Sequence, residues 1–157
     1  PRATRRGRLV HRAEHRPAPT QVYHLTEAWN PENRGINAAM LSGRDVRGTA
    51  VLLHTGWDKH FGTPAYTKGA SFLTEDGARW LVDNGAVLVG IDSLNMDDTE
   101  SGGARPAHSI LLEGGVHVVE HLTRLEELPD TGAVFTAAPP AVAGLGTFPV
   151  RAFAVLP

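Results

Sequence analysis

The pattern of apolar and polar positions along this chain predicts buried strands that alternate with one clear helix. Residues 49–55 (TAVLLHT) and 86–91 (AVLVGI) are continuous apolar runs of strand length, which are typical of strands covered on both faces. Residues 74–84 lie between them with helical spacing, and Thr74 and Gly85 are placed to begin and end the helix. This order predicts two neighbouring parallel strands joined by a right-handed crossover, and therefore an α/β fold.

Shorter elements are predicted around this unit. A helical turn begins at His108, a Gly114–Gly115 break follows it, and β-branched valines predict a strand that leads into Glu120. Further strands are expected at residues 22–25, 133–137 and 150–156, with a brief helix at 36–41 and a short amphipathic piece at 122–128. One folded domain is the natural count for 157 residues.

Charge is distributed unevenly along the chain. The net charge is -2, with 41% hydrophobic and 20% charged residues, values that are ordinary for a globular protein and argue against general nucleic-acid binding. Six arginines nevertheless crowd the first sixteen residues. We expect a basic, poorly ordered N-terminal segment over residues 1–35 and the folded domain over residues 36–157. An arm that binds nucleic acid or membrane is the alternative, but no aromatic residues are interleaved with the arginines.

Composition excludes several classes of chemistry. No cysteine is present, so disulfides, thiolate catalysis and cysteine-based zinc sites are ruled out. No apolar run reaches the roughly 20 residues of a membrane span, and no secretory signal is visible. We therefore expect a cytoplasmic protein without membrane or nucleic-acid partners.

His108 and Glu120 are the first candidates for a functional site. A helix–turn–strand unit of this length can bring them together, and an imidazole beside a carboxylate is suited to binding a divalent metal or relaying a proton. A carboxylate that follows three valines is also costly to bury without a partner. The structural alternatives are a His108 bonded to the backbone at a helix terminus and a Glu120 that reaches solvent at a strand end.

Asp92 and the acidic loop that follows it are the second group of candidates. Asp92 ends the second apolar run, at the edge where parallel α/β sheets usually place ligand sites. It either accepts hydrogen bonds behind a ligand and positions it, or caps the following turn with Ser93, and the residues leave both possibilities open. The carboxylates of Asp97, Asp98 and Glu100 are expected to form a solvated turn rather than a cation site.

Four motifs together resemble the cyclase family of metal-dependent hydrolases, which includes kynurenine formamidases (arylformamidases) and isatin hydrolases. Val51–Asp58 (VLLHTGWD) is similar to a family strand that ends in a T-G-W turn, and Gly90–Asp98 (GIDSLNMDD) is similar to its G-I-D-S segment. The His-x11-Glu spacing of His108 and Glu120 agrees, as does Gly146–Ala154 (GTFPVRAFA). The motifs fall in the family's order and cover roughly residues 36 to 157.

This resemblance implies a specific fold and activity. It implies a swivelling β/β/α domain, with a mostly parallel sheet flanked by helices, in a homodimer or homotetramer. It implies a divalent metal, zinc or manganese, held by His108 and Glu120, and hydrolysis of a small N-acyl or cyclic amide. Trp57 of the T-G-W turn, with His60 and Phe61 beside it, would line the substrate pocket, although core packing is the alternative for an aromatic side chain.

One family segment is missing from this sequence. The H-x-G-T-H-x-D-x-P-x-H signature supplies most of the family's metal ligands, and no such segment occurs here. The nearest stretch, His11 to Pro17, has His-x3-His spacing but lacks the glycine, threonine and aspartate, and we interpret it as chance. The chain also begins with Pro1 rather than Met, which leads us to expect that residues have been removed, left out or processed.

The missing segment leads to two functional expectations. The chain as given should bind divalent metal weakly or not at all and be nearly inactive, because a catalytic zinc normally has three protein ligands. The alternative function is a catalytically silent domain with a binding or oligomerisation role. If the chain is active, unrecognised ligands are to be sought first among its other histidines: His11, His15, His24, His54 and His60.

Overall fold

The computed structural model describes residues 17–141 and 146–157. The strands are β1 (Ala18–His24), β2 (Gly35–Ile36), β3 (Ala50–His54), β4 (Phe72–Leu73), β5 (Leu88–Ile91), β6 (His117–Val119), β7 (Thr131–Ala138) and β8 (Arg151–Val155). The α-helices are α1 (Ala38–Leu41), α2 (Glu75–Asp83) and α3 (Pro106–Glu113). Short 3-10 turns lie at Thr26–Ala28, Trp57–His60, Pro64–Thr67 and Leu125–Glu127.

A mostly parallel sheet with flanking helices organises the domain, as expected. Its six strands lie in the order β6-β5-β3-β1-β7-β8. The strands β6, β5, β3 and β1 run parallel to one another, whereas β7 is antiparallel to both of its neighbours, β1 and β8. The predicted neighbours β3 and β5 pair in parallel, with Val51 opposite Val89. The predicted strand–helix–strand unit is therefore confirmed. None of the helices in the described ranges is both long and apolar enough to cross a membrane.

Helix α2 forms where the sequence predicts it because its ends and its inner face are specified locally. The Thr74 hydroxyl accepts a hydrogen bond from the Gly77 N–H at the N-terminus, and Gly85 follows the helix with a φ of +80° that favours glycine. Ala78 and Leu81 are fully buried against the sheet. A Cβ on Gly77 would lie 2.7 Å from the Ile36 carbonyl oxygen, so this glycine allows α2 to pack against β2.

The other face of the sheet is covered by the segment that follows β6. Leu122 and Leu125 pack there with Leu52, Val119 and Phe135. This covering explains why β3 and β5 are buried on both faces, as their continuous apolar runs predict.

Strand β1 lies in the interior of the sheet, between β3 and β7. The whole of β1 lies within the predicted N-terminal segment of residues 1–35. The central sheet therefore includes residues from both sides of the predicted boundary between residues 35 and 36. The strand differs from the predicted residues 22–25 because it begins at Ala18 and ends at His24. It includes Pro19, next to which the pairing with β7 is irregular. Proline lacks an N–H group and is tolerated at such positions.

Candidate functional site

The carboxyl ends of the parallel strands bring the candidate polar side chains to one edge of the sheet. β3 ends at His54, while Asp92 and Glu120 directly follow β5 and β6. Helix α3 precedes β6 and runs back along the sheet, so its first turn, with Pro106 and His108, lies at the same edge. Ligand sites of parallel α/β sheets are usually found at this edge.

His108 and Glu120 meet at this edge. The His108 Nε2 atom lies 3.4 Å from the Glu120 Oε1 atom, and the two side chains are 19% and 23% exposed. The Met96 N–H donates to the same carboxylate oxygen at 2.6 Å. The prediction that the two side chains lie close enough to share a single ion or water is confirmed by this distance, whereas their roles as metal ligands and catalytic groups stay predictions.

Asp97 lies behind His108 and is not part of a solvated turn. Its side chain is only 3% exposed and its Oδ2 atom is 2.6 Å from His108 Nδ1. The backbone N–H groups of Ala107 and His108 also donate to Asp97, at 2.6 and 3.2 Å. The expectation of a solvated turn is wrong for Asp97, because the first N–H groups of a helix need acceptors and a nearby carboxylate supplies them.

The other two carboxylates of the acidic loop bind an arginine instead. Arg34 lies 3.0 Å from Asp98 and 3.1 Å from Glu100. The Arg34 side chain is itself only 15% exposed, and it also donates to the Ala70 carbonyl oxygen. This ion pair ties the loop to the rest of the domain and leaves both carboxylates away from His108.

Asp92 is fully buried and organises the T-G-W turn. Its carboxylate accepts hydrogen bonds from the Thr55 N–H at 3.0 Å, the Thr55 hydroxyl at 2.5 Å and the Gly56 N–H at 2.7 Å. Burial raises the pKa of the Asp92 carboxyl, although the bonds from Thr55 and Gly56 act in the opposite direction. These contacts run to the neighbouring strand end rather than to the turn at Ser93, and support of a ligand by Asp92 stays a prediction.

The aromatic residues of the loop after β3 form a cluster. The Trp57 ring lies 4.7 Å from the His60 ring and 6.1 Å from the Trp29 ring. Phe61 is 69% exposed and contacts Tyr66 edge-on at 5.4 Å. Trp57 is half-buried, so it both packs within the domain and offers surface. Nothing in these contacts tests the predicted substrate-binding role of Trp57, His60 and Phe61.

Tyr66 is a residue of this site that sequence reasoning missed. Its hydroxyl lies 3.0 Å from His121 Nδ1. Burial raises the pKa of Tyr66 to about 12, and the negative charges of Asp92, Asp58 and Glu120 contribute in the same direction. The phenol is therefore protonated at neutral pH. Its sequence neighbours are polar and irregular, so no pattern indicated that this tyrosine is buried.

The remaining histidines of the described chain make other contacts. His24 and His54 approach each other with 2.7 Å between their Nδ1 atoms, and His60 packs against Trp57. His11 and His15 lie outside the described residues. The structure therefore places none of the reserve histidines that it describes in hydrogen-bond contact with His108 or Glu120.

A divalent metal would find only part of a coordination sphere here. Imidazole nitrogen and carboxylate oxygen are suitable donors for zinc or manganese, and His108 and Glu120 present both. Within residues 17–141 and 146–157, however, no three histidine, aspartate or glutamate side chains are grouped to hold a metal. The two residues thus fit a half-site, which further ligands would have to complete.

An open groove of about 490 Å³ lies on the face of the sheet where Leu122 and Leu125 pack, which is the face that α2 does not cover. It runs between the segment after β6 and the β7–β8 pair, and its walls include His121, Leu125, Phe135 and Phe153. Trp57, His60 and Phe61 are not among its lining residues. The groove nevertheless adjoins the aromatic loop, because its lining residue His121 lies 3.0 Å from the Tyr66 hydroxyl and Tyr66 contacts Phe61.

The mostly parallel sheet with flanking helices, the His108–Glu120 pair at its carboxyl edge and the T-G-W turn agree with the features on which the resemblance to the cyclase family rests. The Cyclase family model, described as "Putative cyclase", matches residues 6–98, which is more than half of the chain. The chain therefore belongs to the cyclase family, and the resemblance stated from its motifs is confirmed. The match includes the T-G-W turn and the G-I-D-S segment.

Individual relatives agree with this assignment. An isatin hydrolase of Roseibium aggregatum is 30% identical over 144 residues, which are 85% of this chain and 51% of that protein. A crystal structure of an isatin hydrolase bound to the product analogue thioisatinate has a TM-score of 0.82 and 26% identity, covering 90% of this chain and 60% of that one. A structure described as a potential metal-dependent hydrolase with cyclase activity has a TM-score of 0.67 and 28% identity, covering 87% and 63%.

The chain spans about half the length of the curated relative that it matches. At the level of the family, these relatives support a hydrolase-like function that depends on a divalent metal.

Proposed function

We propose that this chain is the part of a metal-dependent amide hydrolase that supplies His108 and Glu120 to the active site. The proposed reaction is hydrolysis of an N-acyl or cyclic amide, as in arylformamidases and other cyclase-family enzymes. The observation that carries the proposal is the 3.4 Å approach of His108 Nε2 to Glu120 Oε1 at the carboxyl edge of the parallel strands. The chemical role proposed for this pair comes from its His-x11-Glu spacing, which resembles that of the cyclase family, since the family model itself matches residues 6–98.

The chemistry of amide hydrolysis assigns a task to each of these side chains. A bound zinc or manganese ion would polarise the amide carbonyl and lower the pKa of a water ligand. His108 and Glu120 would hold that ion, and either is also placed to accept or deliver a proton. Glu120 is positioned by the Met96 N–H, and the protonated Tyr66 hydroxyl can donate a hydrogen bond.

The aromatic loop supports an aromatic or cyclic amide as the substrate class. Trp57 and His60 pack ring against ring, and Phe61 exposes most of its side chain, so flat apolar surface lies in the loop that Asp92 organises. Two of the relatives are isatin hydrolases by name, and isatin is a cyclic amide. Self-association into a homodimer or homotetramer is part of the same proposal.

The proposal treats the site as incomplete in the 157-residue chain. His108 and Glu120 supply two donors, whereas catalytic zinc sites usually have three protein ligands. We expect little bound metal and very slow hydrolysis for the chain alone. A catalytically silent domain with a binding or oligomerisation role is the competing proposal, and it predicts no activity even when ligands are restored.

The test is metal content by mass spectrometry together with hydrolysis of isatin and N-formylkynurenine. Extending the chain with an upstream H-x-G-T-H-x-D segment should raise metal content towards one ion per chain and produce turnover. In the extended protein, His108→Ala and Glu120→Ala should each abolish turnover, whereas His117→Ala and Glu113→Ala should not. The two control residues are exposed and lie within ten residues of the site.

Two results would contradict this proposal. Stoichiometric metal and good turnover in the unextended chain would show that other ligands exist. Metal binding with no turnover in the extended chain, unaffected by the His108 and Glu120 substitutions, would favour the silent domain.

A further inference from the structure

Asp97 contacts the edge of the His108 ring that faces away from Glu120. Its Oδ2 atom is 2.6 Å from His108 Nδ1, while Nε2 on the opposite edge of the ring is 3.4 Å from Glu120 Oε1. The ring therefore lies between two carboxylates, one buried and one at the cleft. Which nitrogen carries the hydrogen decides what the ring can offer to the cleft.

We propose that Asp97 is a positioning residue that fixes neutral His108 in the tautomer with its hydrogen on Nδ1. In this tautomer Nε2 presents a lone pair to the cleft beside Glu120. The use of that lone pair to bind a metal rests on the function proposed above, whereas the tautomer itself does not.

The hydrogen-bond inventory of Asp97 supports this assignment. An ionised carboxylate accepts hydrogen bonds and cannot donate them. Ala107 N–H donates to Oδ1 and His108 N–H to Oδ2, so Asp97 already serves as an acceptor at the N-terminus of α3, where the helix dipole favours a negative charge. A nitrogen 2.6 Å from this Oδ2 atom is therefore a donor, which places the hydrogen on Nδ1.

The placement of Asp97 in the chain indicates that it does more than cap α3. The residue in the N-cap position is Arg105, whose side chain makes no capping hydrogen bond. The acceptor comes instead from the loop after β5 and is 3% exposed. Because Asp97 binds the helix backbone and the ring at once, it fixes the position of α3 and the orientation of His108 together.

Changing Asp97 to asparagine should reverse the tautomer while keeping the shorter of its two hydrogen bonds to the α3 backbone, at the cost of the longer one from the His108 N–H. The Ala107 N–H contact is the shorter of the two backbone contacts, 2.6 Å against 3.2 Å, so the amide oxygen of the variant should stay on Ala107. The amide NH₂ group then faces His108 Nδ1, which must accept. The hydrogen moves to Nε2, and the lone pair is removed from the cleft.

The experiment is nitrogen NMR of the isotope-labelled 157-residue chain, which distinguishes protonated from unprotonated ring nitrogens. At about pH 9, where an ordinary histidine is neutral, His108 of the unsubstituted chain should carry its hydrogen on Nδ1. Asp97→Asn should move it to Nε2. Asp98→Asn is the matched control, because it makes the same chemical change one residue away on a carboxylate that binds Arg34, and it should leave His108 unchanged.

The position of the ring hydrogen of His108 in the unsubstituted chain tests the proposal even if Asp97→Asn does not fold. Measured at a pH where the ring carries one hydrogen, a hydrogen on Nε2 in the unsubstituted chain would overturn the proposal, as would the same tautomer in the unsubstituted and Asp97→Asn chains. Adding zinc to the two proteins separates this inference from the proposed function. In the chain extended by the upstream H-x-G-T-H-x-D segment we expect a roughly 10- to 100-fold weaker zinc affinity for Asp97→Asn. The predicted tautomers with no zinc binding even in the extended chain would uphold the role of Asp97 and contradict the metal site.

Discussion

At the scale of single residues, three carboxylates at one edge of the sheet differ in the groups that donate hydrogen bonds to them. Asp92 receives its hydrogen bonds from Thr55 and Gly56 and is fully buried. Asp97 accepts hydrogen bonds from the Ala107 and His108 N–H groups at the start of α3 and also contacts the His108 ring. Glu120 receives the Met96 N–H and is still 23% exposed. Glu120 is thus the carboxylate of the three that has the access a ligand site needs.

Tyr66 provides a pH-dependent prediction at the same scale. Its pKa in the folded protein is about 12, above the ordinary 10.0, so its contribution to stability is complete below pH 10 and is lost as the pH rises through 12. The contribution is on the order of 1–3 kcal/mol. Urea unfolding at several pH values should show a loss of stability over this window that is smaller in Tyr66→Phe. An identical loss in both proteins would contradict the assignment.

Residues of this kind mark the limit of what the sequence predicts about the site. The proximity of His108 and Glu120 could be predicted because their spacing matches a family motif. Asp97 could not, since its role depends on the packing of α3 against a loop ten residues earlier in the chain. Tyr66 could not either, because its burial results from tertiary packing of a loop without periodicity.

At the scale of elements, helix α3 is the part that carries the candidate site. Leu111 on its inner face is fully buried, whereas the adjacent Leu112 is 57% exposed. Residues on one helix with opposite exposure separate the effect of packing from that of helix propensity.

Substitution of these two leucines tests the packing of α3. Leu111→Ala should lower the free energy of unfolding by about 2–5 kcal/mol, because it removes buried surface and leaves a cavity. Leu112→Ala, an exposed change, should alter it by no more than about 0.5 kcal/mol. Both are measured by chemical denaturation. Equal losses would show that α3 does not pack in the described orientation.

The elements that the sequence predicts well are those specified locally. α2 has a cap, an inner face and a terminating glycine within the twelve residues from Thr74 to Gly85, and β3 and β5 are continuous apolar runs. β1 is specified by its partners instead, because Pro19 and Gln21 interrupt its pattern while β3 and β7 pair with it on both sides. Its place in the interior of the sheet therefore became clear only from the structure.

At the scale of the whole molecule, the chain spans about half of a relative's length, and we propose that it supplies part of a metal site. The fold matches the solved isatin hydrolase structure over 90% of this chain. Under the proposed function, His108 and Glu120 share the coordination sphere with further ligands, and this sharing predicts that the 157-residue chain alone is far less active than a protein with the complete site.

The most direct test of the central claim is to add manganous ion to the isotope-labelled 157-residue chain and follow its NMR signals. A paramagnetic ion broadens the nearest nuclei first, even when it binds weakly. We predict that the side-chain signals of His108 and Glu120 broaden before those of the exposed neighbours His117 and Glu113. Broadening that begins at His24 and His54, or that is uniform over exposed carboxylates, would contradict the claim that His108 and Glu120 form a metal half-site.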